Sequence, residues 1–352
     1  MTLILQAARQ EAPVLPFPEP TMPSCETVEI GGRPIAVTPV FDTYWRFAAA
    51  RQHIYEARQA GRPGPWTADP ILRQHRFTNC YRAADRVSQF LIREVAYRGP
   101  QDPEDIVFRI LLFKLFNKVS TWRLVERHFG EISWRDADLV AFDGVLTKAF
   151  ARGERLYSAA YVVPPPQLGG ERKHSNHLRL LRLMMEDRVH ERLASSQTMA
   201  DAFEVLRSYP AMGDFLAYQF LIDINYSEVL DFDESEFVVP GPGARDGIRK
   251  CFGPAASGLE AEVIRYMVDS QEEHFDRLGL AFNGLRGRRL QLIDCQNLFC
   301  EVDKYARVAH PDVRGISGRT RIKQKYAPDA SPLTAWFPPK WNLNGAFRPT
   351  AL

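Results

Sequence analysis

The sequence predicts an all-α, mainly helical protein with a short β-hairpin in an N-terminal extension. From Asp69 onward, apolar residues recur at helical spacing almost without interruption. The proline and glycine breaks between these stretches are short. Alternation typical of strands is confined to residues 26–38, around Gly31 and Gly32. We therefore expect helices packed on helices, without a large sheet.

Composition limits the class of protein. The chain has 352 residues and 45% hydrophobic content, enough to bury a full core. Its net charge of +2 gives no global field that would attract nucleic acid, so a DNA-binding surface must come from local clusters of the 45 Lys and Arg residues. Five cysteines without a CxxC pair indicate a reducing compartment and argue against a zinc ribbon. The N-terminal apolar run is too short for a signal peptide, and no run reaches membrane-spanning length, so we expect a cytoplasmic protein without a membrane partner.

Three regions follow from the pattern. Residues 1–65 are predicted as an extension with a proline-dense stretch at 13–23 and a helix at 41–60. Residues 66–310 are predicted as the helical domain, with helices at 81–97, 103–117, 120–129, 135–151, 171–194, 198–208, 214–226, 258–279 and 289–309. Residues 311–352 form a basic tail. Its cations Arg321, Lys323 and Lys325 lie near aromatic residues, which suits nucleic acid, although a solvated tail packed by its tryptophans is equally common.

A helical hairpin is predicted at residues 206–226. Pro210 and Gly213 mark a turn, and Asp214 is placed to cap a second helix whose mostly apolar surface includes Tyr218. This pattern is typical of a helix–hairpin–helix, in which a glycine turn brings backbone N–H groups to a DNA phosphate. An ordinary pair of antiparallel helices is the alternative.

An arginine stripe is predicted on the first core helix. Arg82, Arg86, Gln89 and Arg93 share one face, and Asp85 can pair with Arg82. Because arginine binds phosphate through two parallel N–H groups, the stripe could be a phosphate-binding edge; a solvated helix face is the alternative. The segment before it contributes Arg76 and Asn79, and a later helix junction contributes Asn117 and Lys118.

The loop at residues 239–245 is a second candidate phosphate site. Gly241 and Gly243 allow close backbone approach, and a helix starting near Ala244 would direct its N-terminal amides outward beside Arg245. The loop does not match the Walker spacing, which argues against a P-loop kinase. Asp233 precedes the loop and is a candidate catalytic acid.

The helix expected at residues 289–309 carries the strongest constellation. Asp294, Asn297, Glu301 and either Lys304 or Tyr305 form one polar stripe beside an apolar face. Glu301 is a credible general base whose pKa Lys304 would tune. The alternative is a lattice of intrahelical ion pairs, each worth about 0.3–0.5 kcal/mol.

Several motifs occur together in a characteristic order. They are RFTNCYRAADRVSQFL, FNK with the following TW, YPAMGDFLAYQFLIDINY, GPGARDGIRKCF and DCQNLFCEVDKYAR. In this order they resemble the α-glutamyl/putrescinyl-thymine pyrophosphorylases of phages and bacteria, also described as amino-acid:DNA transferases. A related helical module accompanies 5-hydroxymethyluracil DNA kinases. The resemblance covers roughly residues 70–310.

The resemblance implies a helix–hairpin–helix fold like that of DNA glycosylases, acting on hypermodified thymine in double-stranded phage DNA. The implied reaction replaces the phosphate or pyrophosphate on a 5-hydroxymethyluracil base with an amine, such as glycine, another amino acid or a polyamine. It implies no cofactor and no metal. The positions carried over are Arg76, Asn79, Arg82, Asp85, Asn117, Asp214, Gln219, Asp223, Gly241, Gly243, Arg245, Asp294, Asn297, Glu301, Lys304 and Tyr305.

The implied chemistry fits these residue types. Arginine or lysine would stabilise the leaving phosphate, and a carboxylate would free the lone pair of the amine. Direct displacement is favoured over addition of a thiolate from Cys300 or Cys80, because burial beside Phe299 would keep Cys300 inert. Two other functions stay open: a glycosylase or lyase that excises an altered base, and a non-catalytic DNA-binding partner of a base kinase.

Overall fold

The computed structural model describes residues 26–159, 162–327 and 334–345, and within them the fold is mainly helical. The α-helices are α1 Pro39–Gln59, α2 Pro70–Gln74, α3 Arg86–Phe90, α4 Pro103–Phe116, α5 Val119–Phe129, α6 Leu139–Ala151, α7 Lys173–Glu186, α8 Val189–Ala194, α9 Met199–Arg207, α10 Asp214–Asn225, α11 Pro242–Phe252, α12 Glu260–Asp269, α13 Gln271–Arg277 and α14 Leu292–Ala309. Strands β1 Thr27–Ile30 and β2 Arg33–Ala36 pair antiparallel, with Val28 opposite Ile35. The all-α prediction with an N-terminal hairpin is confirmed. The proline-dense stretch predicted at 13–23 lies outside the described residues.

Backbone breaks divide three of the predicted helices. Arg188 adopts φ 54° and separates α7 from α8. Ser270 separates α12 from α13. The stretch predicted as one helix over 81–97 consists of a 3₁₀ turn at Arg82–Ala84, then α3, then a π-helical turn at Leu91–Ala96. Asp85 is extended between the first two, so the four-residue arginine stripe expected on a single helix does not form.

The first helix, α1, packs into the core. The side chain of Thr38 accepts a hydrogen bond from the backbone N–H of Val40 at 3.1 Å and donates to the Lys250 carbonyl at 2.5 Å. The start of α1 is therefore tied to the end of α11. Tyr44 of α1 is fully buried, and its ring lies 4.7 Å from that of Phe299 on α14. Much of the region predicted as an extension thus packs on the same helices as the rest of the chain.

Glycines allow α11 and α14 to approach closely. A Cβ atom on Gly247 would lie 2.1 Å from the Phe299 carbonyl oxygen, and one on Gly243 would lie 2.9 Å from the Cys300 sulfur. A buried ion pair between Lys250 and Asp303, at 3.0 Å, also joins the two helices. This packing fixes α14, which carries the predicted polar stripe.

The predicted helical hairpin forms between α9 and α10. Ala211, with φ 62°, supplies the left-handed residue of the turn, whereas Gly213 is the N-cap of α10 at φ −70°. Asp214 is therefore the first residue of the helix rather than its cap. Among the described residues, none of the helices combines the length and the apolar character needed to cross a membrane.

Candidate functional site

The connection at residues 76–86, between α2 and α3, is clamped by α14. The Glu301 carboxylate accepts a hydrogen bond from the backbone N–H of Thr78 at 2.9 Å. Two helical turns earlier, Asp294 accepts one from the backbone N–H of Arg82 at 2.8 Å. The structure thus brings together two segments that the sequence singled out separately, and it builds one cluster of polar side chains on each side of the connection.

The inner cluster lies in the core, with the partly exposed Arg288 at its edge. Its members are Arg82, Lys114, Gln219, Asp223, Tyr226, Glu234, Arg288 and Asp294. Asp223 is at its centre: its two carboxylate oxygens lie 2.5 Å from Arg82 Nη1 and 2.6 Å from Lys114 Nζ. Arg82 Nε also donates to Gln219 Oε1 at 3.1 Å. These charged side chains are at most 4% exposed. One carboxylate therefore pairs with two buried cations. Removing any of the three charges should lower the stability of the fold, because a buried charge then loses an ion-pair interaction.

Burial raises the pKa values of two acids of the inner cluster towards neutrality. It raises the pKa of Glu234 to about 7, against the opposing effect of the Arg288 guanidinium. It raises the pKa of Asp294 to about 6, against the hydrogen bonds from the backbone N–H groups of Arg82 and Gln291. Asp223 behaves differently, because the Arg82 and Lys114 charges outweigh its burial and hold its pKa below the usual range.

The outer cluster lies on the other side of the connection, towards the surface, and consists of Arg51, Arg58, Arg76, Asn79, Asp85, Arg86, Glu301, Lys304 and Tyr326. Arg51 donates to the Asn79 side-chain oxygen at 2.5 Å, and the Asn79 backbone N–H donates to Asp85 at 2.8 Å. Lys304 pairs with Glu301 at 2.7 Å.

Cations dominate the exposed edge of the outer cluster. Partial burial lowers the pKa of Arg86, and the positive charges of Arg58 and Arg76 lower it further. The basic tail extends this edge, because the backbone N–H of Arg76 donates to the Gln324 carbonyl at 3.1 Å and that of Tyr326 to the Gln74 carbonyl at 3.0 Å. In this paired segment Ile322 is buried, and the basic side chains Arg321, Lys323 and Lys325 are exposed.

Asp85 is the titratable acid of the outer cluster. Burial raises its pKa to about 7, an effect that Glu301 adds to and that the Asn79 N–H and the Arg51 charge oppose. A carboxylate that titrates near pH 7 beside several cations suits proton transfer next to a phosphate. From the sequence, Asp85 was expected to pair locally with Arg82 and was among the positions that the resemblance carried over, whereas Arg51 and Arg58 were not predicted. Their seven-residue spacing places both on one face of α1 and could have indicated them.

A groove of about 420 Å³ lies between the second half of α1 and the loop at residues 283–287. Tyr55 is in its wall, and burial raises the pKa of this tyrosine to about 12, with smaller effects from Arg286, Arg51 and Asp85. The groove therefore borders the outer cluster.

Some residues of the predicted site form hydrogen bonds that hold the fold together. Tyr218 is fully buried and donates to the Phe237 carbonyl at 3.2 Å, so the expected contact with DNA is wrong for this side chain. Asp294 accepts two backbone N–H groups and is 4% exposed, which does not suit the expected role of a general base. Tyr305 donates to Asp69 at 2.7 Å and so anchors the start of α2.

The glycine loop has a packing role. A Cβ atom on Gly241 would lie 2.7 Å from the Phe215 ring, and Gly243 lies against Cys300. Arg245 pairs with Glu260 at 3.2 Å, and neither residue belongs to the inner or the outer cluster. Close helix packing thus explains both glycines without a phosphate nest.

The remaining predicted positions are dispersed. Asn117 ends α4 in the left-handed conformation, and Lys118 contacts Ser120 at the start of α5. Asp214 is exposed beside Arg207, with Gly213 in front of it. The structure places these side chains in neither cluster, and the same holds for Asn297 of α14 and for the exposed Asp233.

The cysteine thiols are poor nucleophiles here. Burial raises the pKa of Cys80 to about 12, and its sulfur lies 3.2 Å from the Ala48 carbonyl oxygen. Burial also raises the pKa of Cys300 above its ordinary range. Both thiols therefore stay protonated near pH 7.

Comparison with known proteins defines the class. The family described as the helical domain of 5-hmdU DNA kinase matches residues 38–315, and the chain belongs to this family. The chain is also 24% identical over 286 residues to the 5-hmdU DNA kinase of Bacillus phage SP10, a match that covers 76% of this chain and 45% of the kinase. The chain thus spans less than half of that relative. No solved structure matches it.

Proposed function

We propose that the chain binds duplex DNA carrying a phosphorylated 5-hydroxymethyluracil and replaces the phosphate with an amine. The outer cluster is the observation that carries this proposal. It combines three neighbouring arginines, an adjoining row of exposed basic residues and an acid with a pKa of about 7. Cations of this kind bind DNA phosphates and stabilise a leaving phosphate.

The bond changes require one base. The nitrogen of the amine forms a bond with the exocyclic carbon at C5 of the base, and the bond between that carbon and the phosphate oxygen breaks. Asp85 takes a proton from the ammonium form of the donor, and this proton leaves on the departing phosphate. The new secondary amine keeps its remaining protons. Glu301, held by Thr78 and Lys304, positions the connection that carries Asp85.

Direct displacement at the exocyclic carbon is consistent with the buried cysteines. The alternative route needs a thiolate that adds to the pyrimidine ring, and burial holds both Cys80 and Cys300 in the protonated form. Glycine, another amino acid or a polyamine would be the amine donor, as the resemblance to the amino-acid:DNA transferases implies.

A second function is favoured by a specific observation. The family is named for the helical domain of a kinase, so the chain could instead be a non-catalytic DNA-binding partner of a base kinase. Both functions require DNA binding at the outer cluster. They differ in whether the chain itself changes the base.

Replacing Arg76 and Arg86 together by alanine tests the shared requirement. Each phosphate contact that is lost should reduce the slope of log affinity against log salt concentration by about 0.9. Fluorescence anisotropy with a labelled duplex measures this slope. The matched control is Arg182→Ala on α7, an exposed arginine outside both clusters. Equal slopes for the double variant and this control would contradict DNA binding at the outer cluster.

A further inference from the structure

Four polar atoms of the inner cluster have no hydrogen-bond partner within the described part of the chain. They are Gln219 Nε2, the Tyr226 hydroxyl, Glu234 Oε1 and Arg288 Nε. The Gln219, Tyr226 and Glu234 side chains are at most 4% exposed. Buried polar groups normally have partners, so several such atoms in one place indicate a site for a ligand that supplies them.

Contacts connect these four side chains into one group. Arg82 donates to Gln219 at 3.1 Å and lies 5.8 Å from the centre of the Tyr226 ring. At the other end, Arg288 lies 3.5 Å from Glu234. Trp341 joins the two ends, with its ring 4.1 Å from the Arg288 guanidinium and 5.5 Å from the Tyr226 ring.

The hydrogen-bonding character of the group selects a class of ligand. Gln219 Nε2 and Arg288 Nε are donors, the Glu234 carboxylate is an acceptor, and the Tyr226 hydroxyl can be either. A pyrimidine-2,4-dione such as uracil presents the complement: two carbonyl oxygens that accept and, between them, an N3–H that donates. Cytosine presents an acceptor at N3, which would face the Glu234 carboxylate without a proton to share when this carboxylate is ionised.

The Trp341 side chain, which contacts both ends of this group, is planar and aromatic like a nucleobase. Its half-buried, planar ring lies over the Arg288 guanidinium and meets the Tyr226 ring edge-on at 88°. The neighbouring Lys340 holds the segment by donating to the Ser227 carbonyl at 3.0 Å and to that of Leu230. The cluster is thus covered by an aromatic ring on a short docked segment.

We propose that the inner cluster binds a pyrimidine-2,4-dione base through its N3–H edge, and that the Trp341 ring occupies the position of this base until the base displaces it. The proposal rests on the proposed function, in which such a base is presented by DNA. A base rotated out of the duplex would reach the cluster and be read along its Watson–Crick edge.

Isothermal titration of the full chain with free nucleosides tests the site separately from DNA binding. The titration is run at about pH 8.5, so that Glu234, whose pKa is about 7, is ionised and can only accept. The probes are 5-hydroxymethyl-2′-deoxyuridine, its N3-methyl derivative and 5-hydroxymethyl-2′-deoxycytidine. We expect the first to bind about tenfold or more tightly than the other two, because each of these leaves the buried Glu234 oxygen without a donor. Equal affinities for the three nucleosides would overturn the proposal, and so would an absence of binding.

The Trp341→Ala variant tests the covering ring. It should bind 5-hydroxymethyl-2′-deoxyuridine about tenfold more tightly than the unmodified chain, because no tryptophan ring then has to leave the site before the nucleoside binds. The matched control is Trp336→Ala, which removes an aromatic ring packed on Tyr97 at 4.9 Å, outside the inner cluster, and should leave the affinity unchanged. Unchanged or weaker binding by Trp341→Ala would refute the role of this ring.

The two proposals can fail independently. The Arg76 and Arg86 double variant, which is expected to lose DNA affinity, should keep normal nucleoside affinity because its changes lie in the outer cluster. Loss of nucleoside selectivity in a chain that still binds DNA would refute the base site alone.

Discussion

The substitution Asp223→Asn should be among the most destabilising single changes in this chain. It keeps the shape of the side chain but removes the one negative charge that lies 2.5 Å from Arg82 and 2.6 Å from Lys114. Removing one partner of a buried ion pair costs about 3–5 kcal/mol, because the other charge stays buried without compensation. Here two buried cations lose the carboxylate that they share, so we expect a loss near the upper end of that range. Natural proteins are stable by only about 5–15 kcal/mol, and the loss is therefore a large part of the total.

Urea denaturation measures the effect. The midpoint should fall while the dependence of the unfolding free energy on urea stays the same. The matched control is Asp214→Asn, which removes the same charge from an ion pair with Arg207 at 2.7 Å. Those two side chains are 64% and 48% exposed, so the control should change stability little.

A second substitution identifies the cause. Adding Lys114→Met to Asp223→Asn removes one of the two cations that pair with Asp223, so the double variant should be less destabilised than the sum of the single variants predicts. A loss for Asp223→Asn no larger than that of the control would refute the reasoning, and so would strict additivity in the double variant.

Two further predictions concern titration and the thiols. In the folded state the pKa is about 7 for Asp85 and Glu234 and about 6 for Asp294. The ordinary pKa values are 3.8 for aspartate and 4.5 for glutamate. At a pH between the ordinary and the folded-state values, the native state therefore binds more protons than the unfolded state. The contribution of these acids to stability is complete below the ordinary values and is lost as the pH rises through the folded values. The unfolding free energy measured in urea should therefore fall between about pH 4 and 7. The fall should be less steep in Glu234→Gln, and a rise would contradict the burial of these acids. For the thiols, Cys80→Ser and Cys300→Ser should each keep amine transfer close to the normal rate in single-turnover assays, since neither thiol acts as a nucleophile, and a trapped covalent protein–DNA adduct would show the opposite.

The helical class could be predicted from the sequence because local periodicity decides it. The helices α4, α9 and α10 were predicted within one or two residues of their bounds. The breaks at Asp85, Arg188 and Ser270 carry no proline or glycine, so the sequence offered no local signal for them. At Asp85, contacts from α14 hold the chain in an extended conformation, which only the tertiary structure determines.

Part of the candidate site could also be predicted from local sequence patterns. The α14 stripe and the 76–82 segment were visible as patterns, and the structure joins them through Glu301 and Asp294. The partners from distant elements could not be paired from one sequence. Lys114 did leave a signal, as a cation inside the apolar run of α4, and such a residue implies a buried partner. Of the two neighbouring acids Asp233 and Glu234, the sequence singled out the exposed Asp233, whereas Glu234 lies in the core.

Mass spectrometry of digested DNA tests the central proposal most directly. A duplex containing 5-phosphomethyluracil is incubated with the protein and with glycine or putrescine in turn, then digested to nucleosides. The account predicts a nucleoside in which the amine nitrogen is bonded to the exocyclic carbon, with release of one phosphate, and a rate lower by about 10²–10⁴ for Asp85→Asn. An abasic product would indicate a glycosylase instead. Unchanged phosphorylated nucleoside in the presence of tight DNA binding would contradict the transfer reaction and leave the non-catalytic partner of a base kinase as the function.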